Sequence, residues 1–399
     1  MTSMSENANA SLVAAAEDFL AAAKAFNGEP MGQMALVKKA DKLRYLSEGP
    51  RDTIFRQWDT IHLTAAINIV KSTGVLDEIP KKGTITAKEL SEAVNLHESV
   101  VARSMRILCV QGICDEPEPD IYSHNAKSLV YITAPSKYFF DLILDQDYVF
   151  KKLPQYLKDH STSDLMDLKK SPYAYAYNRM GMSYYEVISD DPVRFEMFNQ
   201  SIRQMDQQMP VLGMFPFASL KEQVEADTSR PFIVDVGGGL GAPLMSIQKE
   251  APAGFGAKCI LQDRKDVLDS IKDEDIPNVE KMEHDFFTPQ PVKNAHVYLL
   301  RRILHDFYMP VCKDIVRNIA SAMGKDSRLL IGDFVVPEKT NVGDDLMVYW
   351  MDFSMMVLTG QEKTAKQFAE ILEDVGLELV KIWRYPYGAQ AVVEAKLKQ

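Results

Sequence analysis

One histidine, a few well-placed carboxylates and a tight run of glycines carry most of the chemistry open to this chain. His305 lies in Leu299-Leu300-Arg301-Arg302-Ile303-Leu304-His305-Asp306-Phe307, just past a strand-like apolar run, where a reactive group faces a bound ligand. An imidazole titrates near ~6.5 and can take up or release a proton near neutral pH. A lone histidine is more often structural. Here its position, the adjacent acid and the two preceding arginines argue for a catalytic one. Asp333 closes the strand-like Leu329-Leu330-Ile331-Gly332, and Glu362 stands in Gly360-Gln361-Glu362-Lys363-Thr364 before a helix. Either carboxylate could orient the ring and stabilise the imidazolium.

The glycines form Asp235-Val236-Gly237-Gly238-Gly239-Leu240-Gly241. Pro231-Phe232-Ile233-Val234 before them reads as a buried strand, and Ala242-Pro243-Leu244-Met245-Ser246-Ile247 after them as a helix start. Gly237, Gly238, Gly239 and Gly241 let the backbone approach a ligand closely, beside free N–H groups at the helix start. With Asp235, the pattern D-x-G-x-G-x-G suggests S-adenosylmethionine, whose amino-acid end needs donors and acceptors. Gly237-x-Gly239-x-x-Ala242 also fits the looser dinucleotide fingerprint, so the turn alone leaves two cofactors open. Asp263, after Cys259-Ile260-Leu261-Gln262, suits a ribose with two free hydroxyls in either cofactor. Asp285 and Phe286, in His284-Asp285-Phe286-Phe287, can hold an adenine through its amino group and ring face.

The elements that position these residues alternate from residue 230 onward. Ile233–Val236, Lys258–Gln262, Val297–Leu300, Arg328–Phe334 and Leu377–Ile382 read as strands separated mostly by helices. This predicts a doubly wound α/β domain that binds ligands at the carboxyl ends of its strands. Upstream, residues 10–50 and 51–79 read as helical, broken at Asn27-Gly28-Glu29-Pro30 and closed at Ser72-Thr73-Gly74. Thr86 with Glu89 three residues later forms a capping-box pattern. A second helix with Val100, Met105, Ile107 and Leu108 on or near its buried face follows, then a hairpin strand at Ile121-Tyr122-Ser123-His124. Helix, turn, helix and hairpin make a winged-helix outline. DNA recognition is one reading of it and dimerisation the favoured one, because Arg103 and Arg106 are the only strong cations near the second helix.

The whole chain agrees. It has 399 residues, enough for two or three domains, with 25% charged and 46% hydrophobic residues. A net charge of −11 argues against nonspecific nucleic-acid binding. Cys109, Cys114, Cys259 and Cys312 are scattered without a C-x-x-C pair, which reads as reduced thiols and no metal site. No apolar run reaches 18 residues, and the alanine-rich N-terminus carries acids, unlike a signal peptide. Cytosolic residence without a membrane partner is the expectation.

Over about residues 50 to 395, six motifs occur in family order: D-V-G-G-G-L-G, L-Q-D, H-D-F-F, L-L-R-R-I-L-H-D-F, G-D-F-V-V-P-E and G-Q-E-K-T-A-K-Q-F. With them the chain resembles the class I S-adenosylmethionine-dependent O-methyltransferases of the plant caffeic-acid type, and in style the fungal members that decorate secondary metabolites. The resemblance implies a Rossmann-like catalytic domain behind an N-terminal winged-helix-like region that forms a homodimer. It implies four segments: a helical extension over 1–50, the dimerisation domain over 51–134, a helical connector and pocket region over 135–229, and the cofactor-binding catalytic domain over 230–399. It makes His305 the base flanked by Asp333 and Glu362, gives the ribose to Asp263 and the adenine to Asp285 and Phe286, and sets Arg301 at the border of the cofactor site. It also places Phe195, Phe198 and Ile202 on a helix over the site. The family often has Glu where this chain has Asp333.

The same resemblance implies S-adenosylhomocysteine as product and no metal. The dinucleotide alternative weakens, since no hydride-transfer pattern such as Tyr-x-x-x-Lys follows a strand. Met351, Met355, Met356 and Thr359, ahead of Glu362, read as pocket lining or ordinary core. A methionine-rich wall suits a flat aromatic or polyketide-like acceptor. Relatives of this architecture that catalyse cyclisation, dehydration or pericyclic steps provide the alternative function.

Overall fold

Pro30 and Pro50 each stand at the first position of a long helix, Pro30–Ser47 and Pro50–Ser72, where a missing N–H costs nothing. Asp52 accepts from the Gly49 N–H at 2.8 Å and fixes the entry to the second of them. The computed structural model describes residues 2–386 and 388–398. The chain divides into two units: Met1–Asp147 with Ile188–Gln208, and Tyr148–Val187 with Met209–Gln399. The segment 135–229, read from the sequence as one connector, is thus shared between them.

The first unit contains the winged-helix outline. Strand β1 (Ile85–Thr86) leads into helix Ala87–Ala93, capped reciprocally by Thr86 and Glu89. Helix Glu98–Val110 follows, then strands β2 (Cys114–Glu118) and β3 (Ile121–His124), in the antiparallel order β1-β3-β2. Ile67, Val70, Leu76, Leu90, Met105 and Leu108 form its core. Val100 does not join them: it is exposed, and Val101, Met105 and Leu108 keep the helical spacing on the buried face instead.

The second unit is built on strands β4 (Ile233–Val236), β5 (Cys259–Asp263), β6 (Val279–Glu283), β7 (Val297–Arg301), β8 (Arg328–Val336), β9 (Lys363–Thr364), β10 (Leu377–Arg384) and β11 (Gln390–Leu397). The order is β10-β11-β8-β7-β4-β5-β6, with β9 pairing β8 off the main path. Strands β4 to β8 pair in parallel, and β11 pairs antiparallel with both β8 and β10. The sheet is therefore mixed, and the sequence reading did not contain β6, β9 or β11. After β4 the chain runs outward through β5 and β6, then returns to β4's other side as β7. That reversal is the topological switch point where such sheets bind ligands. The glycine turn leaves β4 at this point. One correction concerns Asp333: it does not close its strand, because β8 runs on to Val336 with Ala391 of β11 opposite Asp333.

Candidate active site

The glycine turn is held from below by β5. The N–H groups of Gly237 and Gly238 donate to the Gln262 carbonyl at 2.8 and 3.1 Å. A Cβ on Gly238 would stand 2.4 Å from Oδ2 of Asp235, so only glycine lets the turn fold back over that carboxylate. Asp235 is fully buried, and neither oxygen has a hydrogen-bond partner among the described residues. Burial lifts its pKa to about 7 against the pull of the Arg301 guanidinium. A buried carboxylate without a donor is costly, so this one fits a cationic, hydrogen-bonding ligand.

Asp263, at the end of β5, accepts from the N–H groups of Gly239 and Arg264, each at 2.8 Å. The His284 N–H donates to the Asp263 carbonyl at 3.1 Å, which brings the H-D-F-F segment to the same place. Phe286 packs beside Gly237 and edge-on to Phe307, while the exposed Asp285 accepts from the Phe287 N–H at 3.0 Å. Gln262 and Gln290, which the motif reading left without a role, are both fully buried and exchange reciprocal amide hydrogen bonds at 2.9 and 2.8 Å. They fasten β5 to the chain after H-D-F-F. A separation of 28 residues hid them.

At the reacting end, β7 finishes at Arg301, and His305 follows on a short turn, Leu304–Asp306. Its ring is buried. Nδ1 donates to Oε1 of Glu362 at 2.9 Å, and Nε2 stands 3.4 Å from Oδ1 of Asp306. The Tyr185 hydroxyl donates to the other Asp306 oxygen at 2.7 Å. Asp333 is buried with both oxygens unpartnered among the described residues, so it acts on His305 through charge and makes no hydrogen bond to it. Burial by itself would lower the His305 pKa, but Glu362, Asp306 and Asp333 outweigh it and raise it to about 9. Burial, opposed by His305, lifts Asp333 above the ordinary carboxylate range.

Glu362 reaches the ring because its segment wraps the histidine turn. The Gln361 N–H donates to the His305 carbonyl at 2.8 Å, and a Cβ on Gly360 would lie 2.4 Å from that oxygen. Thr359 takes the bend at φ 75, a conformation that strains a β-branched residue. It is buried, and its hydroxyl has no partner among the described residues. Met351 and Met355 are buried on helix Leu346–Met355. Phe195, Phe198 and Ile202 lie on helix Pro192–Gln208, in the other unit. A small cleft adjoins His305 and is lined by Met209, Met214, Phe217, Arg301 and Asp333 among others. The Arg301 guanidinium donates to the Met209 carbonyl at 3.2 Å.

A glycine turn at the switch point, an orphaned carboxylate under it and a histidine–carboxylate pair past the neighbouring strand define an α/β transferase with a nucleoside-type cofactor. The chain belongs to the O-methyltransferase domain family, whose profile it matches over residues 155–378. It is 42% identical over 398 residues to the O-methyltransferase hmp5 of Hypomyces subiculosus, covering 98% of this chain and 99% of that one. The structure of OxaC in complex with S-adenosylhomocysteine and oxaline superposes with a TM-score of 0.80 at 26% identity, over 98% of this chain and 100% of that one. A structure described as a pericyclic reaction enzyme shares the fold, with a TM-score of 0.81 at 24% identity, over 97% of this chain and 99% of that one. The chain is an S-adenosylmethionine-dependent O-methyltransferase. Among the described residues, no helix is long and apolar enough to cross a membrane.

Proposed function

We propose that the enzyme methylates a phenolic or enolic hydroxyl of an aromatic or polyketide-like metabolite, with His305 as general base and without a metal. The observation that carries this reading is the hydrogen bond from Nδ1 of His305 to the buried Glu362 carboxylate, which leaves Nε2 as the working nitrogen. When bound, S-adenosylmethionine supplies an activated methyl group on a sulfonium, a leaving group that needs no Lewis acid. Asp235 would hold its ammonium, Asp263 its ribose, and Asp285 with Phe286 its adenine, with the glycine turn giving close backbone approach. Arg301 borders that site.

His305 takes the acceptor's proton at Nε2 as the O–C bond forms. Glu362 fixes the ring's tautomer and stabilises the imidazolium, with Asp333 adding negative charge nearby. Three carboxylates make the resting ring a strong base that is mostly protonated at neutral pH, so the proton must first leave it. A cationic donor in the neighbouring site works against the imidazolium and favours the free base. Met351, Met355 and Thr359 are proposed to line the acceptor pocket. Transfer of label from S-adenosylmethionine to a panel of phenols and aromatic polyketides tests the assignment.

The fold shared with a pericyclic reaction enzyme supports a second reading, in which the chain holds the cofactor without spending it. Accumulation of S-adenosylhomocysteine during turnover separates the two.

For assembly, we propose a homodimer through the N-terminal region. Ile54, Phe55, Trp58 and Ile61 are each more than 60% exposed on one helix, an apolar face that a second copy would cover. The four cysteines are unpaired, in keeping with a reducing, cytosolic setting.

A further inference from the structure

Lys363 is fully buried on the two-residue strand β9. Its ammonium has three N–H donors and meets three backbone carbonyls: Leu304 in close contact, Phe307 at 2.5 Å and Gln361 at 2.6 Å. Each donor therefore has an acceptor, the condition under which a buried cation is tolerated. The three carbonyls are not scattered. Leu304 and Phe307 bracket the turn that carries His305, and Gln361 immediately precedes Glu362. Cys312 reaches the first two carbonyls as well, with Sγ at 3.3 and 3.4 Å.

We propose that Lys363 is the positioning residue that holds His305 and Glu362 in register, by tying the backbone on both sides of the histidine to the backbone beside its carboxylate partner. The ammonium touches neither side chain and acts beside the direct bond from the Gln361 N–H to the His305 carbonyl, adding a second tie between the two segments that set the distance between Nδ1 and Oε1. Only the catalytic consequence rests on reading His305 as the base; the positioning itself can be tested without turnover.

A plain electrostatic role would act in the opposite sense. His305 faces Glu362 at Nδ1, Asp306 at Nε2 and Asp333 from β8. Behind them stand Asp352, which accepts from the Glu362 N–H at 2.9 Å, Tyr185 on Asp306, and Cys312 under the turn. All of these remain when Lys363 is replaced. Loss of a cation alone favours the imidazolium and raises the ring's midpoint. Loss of register separates the ring from Glu362 and lowers it.

The experiment is a pH titration of the full-length protein labelled with ¹³C-histidine, followed by NMR, with the His305 resonance assigned by its absence in His305→Asn. In Lys363→Met the midpoint is expected to fall by about one unit, a tenfold change in proton affinity, and Lys363→Arg is expected to restore most of it. Binding of S-adenosylhomocysteine, measured by calorimetry, should stay within about twofold in both, a change below ~0.5 kcal/mol. An unchanged or raised midpoint in a folded Lys363→Met protein overturns the proposal. Should that variant not fold, Lys363→Gln, which keeps two donors, is read the same way. Failure of all three variants to fold also overturns it, because the lysine would then serve the domain as a whole. If His305→Ala still methylates, the base assignment fails while the titration result stands.

Discussion

His305 and Glu362, 57 residues apart in sequence, meet in a 2.9 Å hydrogen bond with both side chains out of solvent. Removing the ring should therefore remove the chemistry and leave the cofactor site. His305→Ala is expected to lower methyl transfer by about 10²–10⁴-fold while S-adenosylhomocysteine still binds in calorimetry. Substantial methylation by that variant would falsify the base assignment.

The pH dependence follows from the charge around the ring. His305 must be neutral to accept a proton, and its pKa is raised to about 9 in the protein without ligands. The ratio kcat/KM should climb with pH and level off near that value, or below it to the extent that the bound cationic donor favours the free base. Glu362→Gln removes the strongest of the raising charges, so the climb should move to lower pH. The plateau should drop by at least ~10-fold, since the imidazolium loses its partner. An unshifted profile would show that Glu362 does not set the ring's charge.

Asp235 should trade stability for binding. Its folded pKa is raised to about 7, above the usual carboxylate value. The unfolded chain therefore releases this proton first, and folding is progressively penalised as the pH rises from the unfolded to the folded pKa. The penalty is full above about 7. Asp235→Asn cannot ionise, so it should melt a few degrees higher than the parent at pH 8 and similarly at pH 4. The same variant should bind S-adenosylhomocysteine much more weakly. A lower melting point at pH 8 would contradict the orphaned carboxylate.

Gln290→Leu leaves the buried Gln262 amide without its partner. Because the Gln262 carbonyl holds the glycine turn, the expected effect is on cofactor affinity, a loss of about 10-fold corresponding to one buried unsatisfied group. Rates at saturating cofactor should change little. Calorimetry and initial rates at two cofactor concentrations distinguish this from general damage.

For assembly, Phe55→Asp with Trp58→Asp places two charges on the exposed apolar face. Light scattering should report a dimer for the parent and a monomer for the double variant. A parent that is already monomeric at micromolar concentration would rule out the proposed interface.

What could be read from the sequence was local. The glycine turn, Asp263 and His305 each sit at the end of an apolar run, so the strand announces the residue that follows it. Strand β6 was invisible because Val279-Glu280-Lys281-Met282-Glu283 is a partly exposed edge strand with charges between its apolar residues. The run Leu329-Leu330-Ile331-Gly332 alone puts Asp333 at a strand end, because the partner that extends β8, β11, comes more than 50 residues later. The roles of Gln262, Gln290 and Lys363 depend on partners from other segments, which no spacing rule encodes. Val100 borders the buried stripe that Val101 begins, because a 13-residue helix leaves the edge of its stripe ambiguous in the sequence.

Strand β11 has a consequence in time. It ends at Leu397, yet it pairs along β8 from Leu329 to Phe334 and so flanks Asp333. Strands β4 to β7 lie between Ile233 and Arg301, whereas β11 starts only at Gln390. The strands of the cofactor cradle can therefore pair with one another before β11 closes on β8, and the surroundings of Asp333 are completed by this later segment.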